Sequence, residues 1–349
     1  MKKYAVEYKL QVPMGGVRLT GGRFQRVFEN NVAFLKGFDL DRMLYWYRVH
    51  KGENAPGVPY AFGDGHFENN LKGQTAGEFL MGAGTALLWR EDEELRQMVR
   101  AIVAEIDACR DEDGFLIPIP RDQFKTKEYP NYTRAWITFG LLDAGYAGET
   151  RAFELARGMS DYFNACDVLP YVKDLNLGFQ GILANTRQYD APDGKWADMQ
   201  TAIDHYQETW WLEQVIAGDQ RAIYDHPGNH PHSTLLTTLE GYCDLYRATG
   251  EDIYLLENFK PLLDNHAVSI IRPDILSSGG IYETKKIGDY AEECGVAMAL
   301  HMAETPVACL AAVHVAAATN NFLGLEFHSN DVDWWSDMVK DTEKPKIVD

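Results

Sequence analysis

Three polar residues near the C-terminus could carry proton-transfer chemistry: an aspartate, a histidine and a glutamate. Each follows a short apolar run that is typical of a buried β-strand. Parallel strands bring their carboxyl ends to one edge of a sheet, where the catalytic side chains of βα proteins gather. The alternatives are a capping aspartate, a hydrogen-bonded core histidine and a solvated glutamate. The residues and the runs before them are Asp274 after 268–271, His301 after 296–300 and Glu326 after 322–325.

The spacing of these runs predicts a contact between a carboxylate and an imidazole. If the segments form consecutive βα units, adjacent strands lie about 4.8 Å apart and side chains at the same edge can touch. We therefore expect Asp274 to hydrogen-bond His301 and to raise the pKa of its imidazole. Glu326 is expected at the same edge, one strand further on.

Polar and aromatic residues in the first part of the chain could line a sugar pocket. Gln74 and Glu78 lie at the start of a predicted helix, where an acid is also favoured simply by the helix dipole. Tyr132 and Trp136 lie four residues apart on one helical face, which suits either core packing or a sugar-binding wall. Both alternatives stay open from the residues alone.

Two further candidates are equally ambiguous. Glu208 stands just before a tryptophan pair at 210–211, which again suits either packing or sugar binding. His232 ends a histidine- and proline-rich stretch at 226–232 that could bind a metal. The same stretch could instead form a surface turn before a helix that is capped by Ser233.

Helices dominate the predicted structure before residue 250, and strands alternate with helices after it. Apolar residues recur at helical spacing in the first part, which predicts paired helices, as in a bundle or an α/α barrel. The later alternation predicts parallel βα units. The predicted helices are 24–47, 76–89, 93–110, 132–145, 150–164, 209–217, 233–248, 283–294 and 307–318, and the predicted strands are 6–12, 17–19, 268–271, 296–300 and 322–325.

Composition limits the partners that the protein can have. The 349 residues are 46% hydrophobic and 24% charged, as in a soluble two-domain protein. With 52 acidic and 33 basic residues, the net charge of −19 repels phosphate backbones, so we expect no nucleic acid partner. No run is long enough to span a membrane, and no signal peptide is visible. Five dispersed cysteines indicate a reducing compartment, so we expect a cytoplasmic location.

From about residue 17 to 250 the chain resembles the catalytic domain of glycoside hydrolase family 127, the β-L-arabinofuranosidase-like group. The resemblance implies an (α/α)6 barrel with a sugar pocket. It departs from the family where typical histidines are replaced by Glu78 and Trp136. The matching stretches are 73–80 (GQTAGEFL), 131–136 (NYTRAW), 139–144 (FGLLDA) and 244–250 (DLYRATG), and the implied substrate-binding residues are Gln74, Glu78, Tyr132, Trp136, Glu208 and His232.

The parts of that family that perform catalysis lie beyond the point where the resemblance stops. They are an acid/base glutamate and a zinc-binding glutamate and cysteine cluster, and no zinc site is visible in this sequence. Glycosidic cleavage needs a proton donor and a second group that acts as nucleophile or base. We therefore expect weak or absent glycosidase activity.

From about residue 249 to 339 the chain resembles the C-terminal part of the enolase superfamily, specifically the mandelate racemase-like sugar-acid dehydratases. The motifs are 249–252 (TGED), 272–274 (RPD), 279–283 (GGIYE), 299–301 (ALH) and 325–328 (LEFH). The resemblance implies that Asp274 and His301 form an acid–base dyad and that Glu326 hydrogen-bonds the substrate carboxylate or the enolate. It also implies that Glu251 is the last of three acidic Mg²⁺ ligands. One carboxylate holds Mg²⁺ poorly, and the other ligands and the opposing lysine base would lie upstream.

The expected architecture is mainly α. An incomplete (α/α)6-barrel-like domain at 1–248 is followed by a partial parallel β/α barrel at 249–349. The hydrolase resemblance covers more of the chain, which favours an impaired β-L-arabinofuranosidase-type glycoside hydrolase. The alternatives are a Mg²⁺-dependent acid-sugar dehydratase and a non-catalytic chimeric fusion. The expected partner is a small-molecule sugar or sugar acid, with no nucleic acid and no membrane. A partial barrel leaves an exposed strand edge, so self-association is also expected.

Overall fold

The computed structural model describes residues 18, 20–60, 71–126, 129–166, 181–206, 239–251, 263–264, 268–276, 278, 280–302 and 306–326. The described chain is mainly α-helical and contains one small parallel sheet of three strands. It divides into two compact units. The first contains the described residues of 35–206 and 239–251, and the second contains those of 20–34 and 263–326.

Up to residue 248 the described residues form helices joined by loops and contain no strand, as the apolar spacing predicts. The predictions for 6–12, 209–217 and 233–238, and for 17–19 apart from residue 18, lie outside the described residues. The helices are α1 (Gly22–Lys36), α2 (Leu40–Met43), α3 (Tyr45–Lys51), α4 (Gln74–Trp89), α5 (Glu93–Cys109), α6 (Tyr129–Tyr146), α7 (Arg151–Phe163), α8 (Gly181–Asp190), α9 (Trp196–Thr201) and α10 (Leu239–Thr249). A 3₁₀ turn (Arg121–Lys125) and a π-helical turn (Ala202–Tyr206) complete this part.

Two departures from the predicted helices have local causes. The helix expected over 24–47 is divided into α1, α2 and α3, because the Asp39 side chain accepts hydrogen bonds from the backbone N–H groups of Asp41 and Arg42 and starts a new helix. Helix α8 was not predicted. Eight of its ten residues are buried, so it lacks the polar face that makes an amphipathic helix recognisable.

Glycines bring α4 and α6 into close backbone contact. A Cβ atom on Gly77 would lie 2.6 Å from the backbone oxygen of Trp136, and one on Gly84 would lie 2.7 Å from the backbone oxygen of Asp143. Any side chain larger than hydrogen would force the helices apart. This contact fixes α4 beside α6, the two helices that carry the residues expected in a sugar pocket.

A buried carboxylate joins α7 to α9. The guanidinium of Arg157 donates two hydrogen bonds, of 2.7 and 2.6 Å, to Asp198, and Ser160 and Asn164 donate further bonds of 2.8 and 2.7 Å. Burial alone would raise the pKa of Asp198, but these hydrogen bonds hold it below its usual value. Asp198 is therefore an ionised structural residue of the first unit.

The second unit contains the sheet, most of α1 and two further helices. Strands β1 (Ile270–Ile271), β2 (Ala297–Leu300) and β3 (Phe322–Leu325) pair in parallel in the order β1-β2-β3, and α11 (Gly280–Glu293) and α12 (Pro306–Ala317) connect them. The predicted strand–helix–strand–helix–strand order is confirmed. Its core includes the buried side chains of Ile271, Met298, Leu300, Ala312 and Val315.

Within the described residues, no helix has the length and apolar character that a bilayer-spanning segment requires.

Candidate active site

The first residue of the candidate site is held in place by the backbone that follows β1. Asp274 forms a parallel backbone bridge with His301, and the His301 N–H donates a 3.2 Å hydrogen bond to the carbonyl of Pro273. One carboxylate oxygen of Asp274, Oδ1, accepts a 2.7 Å bond from the Leu276 N–H. Oδ1 of Asp274 is therefore occupied by a hydrogen bond within the turn, and Oδ2 faces His301 on the neighbouring strand.

The histidine lies between two carboxylates. Its Nδ1 atom is 3.1 Å from Oδ2 of Asp274, so the predicted contact is present. Its Nε2 atom is 3.5 Å from Oε2 of Glu326. The side chains of His301, Asp274 and Glu326 are 30%, 19% and 23% exposed, so the imidazole is ordered by its neighbours and still reaches solvent.

Glu326 follows β3, and its N–H donates a 2.9 Å bond to the carbonyl of Leu300 on β2. Its carboxylate forms an ion pair with the guanidinium of Arg272, whose side chain is 46% exposed. Arg272 is not among the site residues that the sequence predicts. A signal was present, since side chains two residues apart on an extended backbone point to the same side, and Arg272 stands two residues before Asp274.

Four side chains thus form one charged row: Asp274, His301, Glu326 and Arg272. A carboxylate at Nδ1 favours the tautomer that carries the proton there, which leaves Nε2 to accept or donate a proton. The carboxylate also stabilises an imidazolium once it forms. The arrangement is suited to general acid–base catalysis at Nε2. The catalytic role of each residue stays a prediction.

The expected magnesium ligand does not form part of a metal-binding group among the described residues. Glu251 is exposed in the first unit, and its N–H donates a 3.2 Å bond to Oγ1 of Thr249. Within the described ranges, no three His, Cys, Asp or Glu side chains gather as a metal ion would require. These residues do not by themselves fit a Mg²⁺ ion.

The helical unit holds a second pair of candidate residues. Gln74, which is 4% exposed, donates a 2.6 Å hydrogen bond from Nε2 to Oε1 of the partly exposed Glu78. Burial raises the pKa of Glu78 to about 7, although the hydrogen bond from Gln74 opposes the shift. Glu78 can therefore exchange a proton near neutral pH, which a helix-capping acid would not do.

The aromatic candidates lie on the neighbouring helix. The rings of Tyr132 and Trp136 meet edge to face with centroids 5.8 Å apart, and both side chains are partly exposed on α6. This geometry fits core packing and a pocket wall equally well. The remaining two candidates, Glu208 and His232, lie outside the described residues.

Comparisons with known proteins match two different families. Residues 16–182 match the family described as beta-L-arabinofuranosidase, GH127 catalytic domain. Residues 198–348 match the family described as enolase C-terminal domain-like. Both resemblances are therefore present, but their limits differ from those expected. The first ends at residue 182 rather than near 250, and the second begins at 198 rather than near 249.

The matched curated relatives include two sugar-acid dehydratases. The chain is 35% identical over 136 residues to the D-xylonate dehydratase of Haloferax volcanii, covering 39% of this chain and 30% of the relative. It is 31% identical over 105 residues to the D-galactonate dehydratase of Ralstonia pickettii, covering 30% of this chain and 24% of the relative. The chain therefore spans less than a third of the length of either enzyme.

Among solved structures, the chain matches the crystal structure of a mandelate racemase/muconate lactonizing enzyme-like protein from Rubrobacter xylanophilus DSM 9941. The match covers 75% of this chain and 79% of that one, with 18% sequence identity and a TM-score of 0.26. A TM-score of this size does not establish a common overall fold.

Proposed function

We propose that the second unit carries the acid–base centre of a sugar-acid dehydration site. The observation that carries the proposal is the 3.1 Å contact between Asp274 and His301 at the carboxyl ends of parallel strands. The dehydratase names of the curated relatives support the same chemistry. These names favour a dehydratase over a glycosidase, although the glycosidase resemblance was expected to cover more of the chain.

The reaction removes water from an aldonic acid. The proton beside the carboxylate and the hydroxyl of the next carbon leave together as water, and the resulting enol rearranges to a 2-keto-3-deoxy acid. In this proposal Nε2 of His301 takes up the proton beside the carboxylate and then gives it to the departing hydroxyl, and Asp274 stabilises the imidazolium that exists between the two transfers. Enediolate chemistry of this kind ordinarily uses a divalent cation, but the described residues do not by themselves hold one, so no step of the proposal passes through a metal ion.

The guanidinium of Arg272 would bind the substrate carboxylate. Arg272 is nearly half exposed and pairs with Glu326 through Nη2, so its remaining N–H groups can receive a carboxylate from solvent. Glu326 donates to that carboxylate or to the enolate only when protonated, because an ionised carboxylate is solely an acceptor. When ionised, it accepts a hydrogen bond from a substrate hydroxyl instead.

Each unit is part of a larger architecture in this proposal. Three parallel strands linked by α11 and α12 are compatible with a portion of a β/α barrel, and the close pair α4–α6 is compatible with an (α/α)6 barrel. An incomplete β/α barrel would leave β1 as an edge strand and favour self-association. The proposed partner is a small sugar acid in the cytoplasm.

The test uses the full chain with D-xylonate and D-galactonate in the presence and absence of Mg²⁺. We expect formation of the 2-keto-3-deoxy acid, and we expect His301→Asn to abolish it. The matched control is His314→Asn, which changes an exposed histidine on α12 outside the row. If the unaltered chain forms no product from either acid, the dehydratase proposal is wrong.

A glycoside hydrolase function remains the second candidate. It is favoured by the family match of residues 16–182 and by Glu78, whose pKa of about 7 suits a proton donor near neutrality. We expect weak or no hydrolysis of an aryl β-L-arabinofuranoside, because the family match ends at residue 182 and the sequence predicts neither the acid/base glutamate nor the zinc-binding cluster of that family. Robust hydrolysis that Glu78→Gln removes would favour this function. Failure of both assays would favour a non-catalytic fusion.

A further inference from the structure

Arg134 is a buried cation of the helical unit, and none of the described residues supplies a counter-charge for it. It lies on α6 and is 1% exposed, which makes it the largest of the fully buried side chains. Its guanidinium donates a 2.9 Å bond to the hydroxyl of Tyr206 and a 2.5 Å bond to Oδ1 of Asn185, both neutral acceptors. Among the described residues, no carboxylate lies within ion-pairing distance of it.

The rest of the guanidinium faces aromatic rings. Its central carbon lies 4.3 Å from the ring centroid of Phe163 and 5.4 Å from that of Tyr206. The Nε atom is buried and has no hydrogen-bond partner within the described part of the chain. A guanidinium has five N–H donors, so two accepted bonds leave three of them, including Nε–H, unused.

This arrangement is costly for the folded protein. An arginine side chain stays protonated in proteins, so it cannot remove the cost of burial by losing its proton. Ring contacts with Phe163 and Tyr206 offset a part of that cost. A buried charge without an opposite charge nevertheless destabilises a fold more than a paired one does.

A second arginine of the same unit is paired with a carboxylate, as buried arginines usually are. Arg157 is largely buried and donates two hydrogen bonds to the carboxylate of Asp198, at 2.7 and 2.6 Å. Nε of each arginine is buried without a hydrogen-bond partner among the described residues. The two differ in that Arg157 has a protein carboxylate, whereas the described acceptors around Arg134 are neutral.

We propose that Arg134 is the anchor of a binding site for a small oxyanion, supplied by a carboxylate or by a phosphate group. The anion would accept hydrogen bonds from Nε and from the unused N–H groups, as planar oxyanions do at arginine forks. The hydroxyl of Tyr206 and the amide of Asn185 would hold the guanidinium in place. This site lies in the first unit and does not depend on the proposed dehydration chemistry.

The test measures the thermal stability of the full chain after overnight equilibration with sodium D-gluconate, inorganic phosphate or sodium chloride at equal ionic strength. A ligand that binds the folded state raises Tm with its concentration. We expect at least one oxyanion to raise Tm saturably, by more than about 2 °C over chloride. A response to gluconate alone identifies a carboxylate site, and a response to phosphate alone identifies a phosphate site.

Two variants separate binding at Arg134 from a general salt effect. Arg134→Met keeps much of the side-chain volume without the charge and should lose the oxyanion response. The matched control Arg157→Met should keep the response while being less stable, because it leaves Asp198 buried without its cation. An equal response in the unaltered chain and in Arg134→Met, or no response in the unaltered chain, would overturn the proposal.

A second measurement applies if Arg134→Met does not fold. In the chain labelled with ¹⁵N-arginine, a buried Nε–H gives a signal protected from exchange with solvent. The oxyanion that raises Tm should shift one protected arginine signal, whereas chloride should not. Absence of such a shift under saturating oxyanion would also show the proposal to be wrong.

Discussion

His301 and Asp274 are joined twice, once through side chains and once through backbone. Nδ1 of the imidazole lies 3.1 Å from Oδ2 of the carboxylate, and the two residues form a parallel bridge just beyond β1 and β2. The separation of the two side chains is therefore fixed by the backbone pairing of the sheet and does not depend on a loop. A pair held by regular backbone keeps a well-defined geometry.

Replacing Asp274 with asparagine tests whether its charge is needed. Asparagine keeps an oxygen that can accept from the Leu276 N–H, so we expect the turn to persist. The imidazolium of His301 would lose its stabilising carboxylate. We expect kcat/KM for the aldonic acid that serves as substrate to fall by roughly 10²–10⁴-fold, measured from formation of the 2-keto-3-deoxy acid.

Unfolding in urea should show that Asp274→Asn and the unaltered chain have nearly the same stability. A matched substitution of an exposed carboxylate in the same unit, Asp289→Asn on α11, should leave kcat/KM unchanged. If Asp274→Asn keeps full activity, Asp274 has only a structural role in its turn. If it unfolds the second unit, the turn rather than the acid–base chemistry explains the contact.

The residues at the sheet edge could be predicted from the sequence, because each strand is indicated by a short apolar run and the residue of interest directly follows it. The strand-like runs at 268–271, 296–300 and 322–325 have bounds that differ by at most two residues from those of β1, β2 and β3. Parallel pairing then leaves one edge on which the residues after the strands can meet. The contact of Asp274 with His301 follows from these two steps without any knowledge of the rest of the chain.

Long-range partners could not be predicted in the same way. The ion pair of Arg272 with Glu326 joins residues 54 positions apart, and the bond from Arg134 to Tyr206 spans 72. Sequence periodicity shows that a side chain is on a buried face, but it does not say which helix covers that face. Arg134 in particular stands in a helix with weak amphipathic character, where a buried charge leaves no pattern.

The pKa of Glu78 predicts a pH dependence of stability. Burial raises this pKa to about 7, so the folded state binds a proton that the unfolded chain releases above its ordinary pKa near 4.5. The contribution of this group to stability is therefore fully present below about pH 4.5 and is lost as the pH rises through about 7, by up to about 3 kcal/mol. Glu78→Gln should remove that fall, as urea unfolding between pH 5 and 8 can show.

A residual slope at lower pH is expected in Glu78→Gln. Burial raises the pKa of Asp143 to about 6, although the charge of Arg187 opposes the shift, so stability still falls up to that pH. The control is Glu112→Gln, an exposed glutamate in a turn of the same unit, which should leave the profile of the unaltered chain in place. Identical profiles for Glu78→Gln and Glu112→Gln would show that Glu78 is already ionised in the folded state.

The first strand of the sheet predicts self-association. Within the described residues, β1 pairs with β2 alone, and the side chain of Ile270 on β1 is 47% exposed. An exposed edge that carries an apolar side chain favours pairing with another chain, and a lysine there opposes it. We expect Ile270→Lys to lower the average mass in sedimentation analysis, while Val313→Lys, at a 44% exposed site on α12, does not. A monomeric unaltered chain would contradict this prediction.

Two glycines of α4 should respond in opposite directions to the same substitution. Alanine is favoured over glycine within a helix by up to about 1 kcal/mol. At Gly82 the new Cβ would make ordinary contact, 3.6 Å from Leu35, so Gly82→Ala should stabilise. At Gly77 it would lie 2.6 Å from the backbone oxygen of Trp136, so Gly77→Ala must separate α4 from α6. We expect Gly77→Ala to lose about 1–3 kcal/mol in urea unfolding. Equal effects of the two variants would mean that these helices do not approach as closely as described.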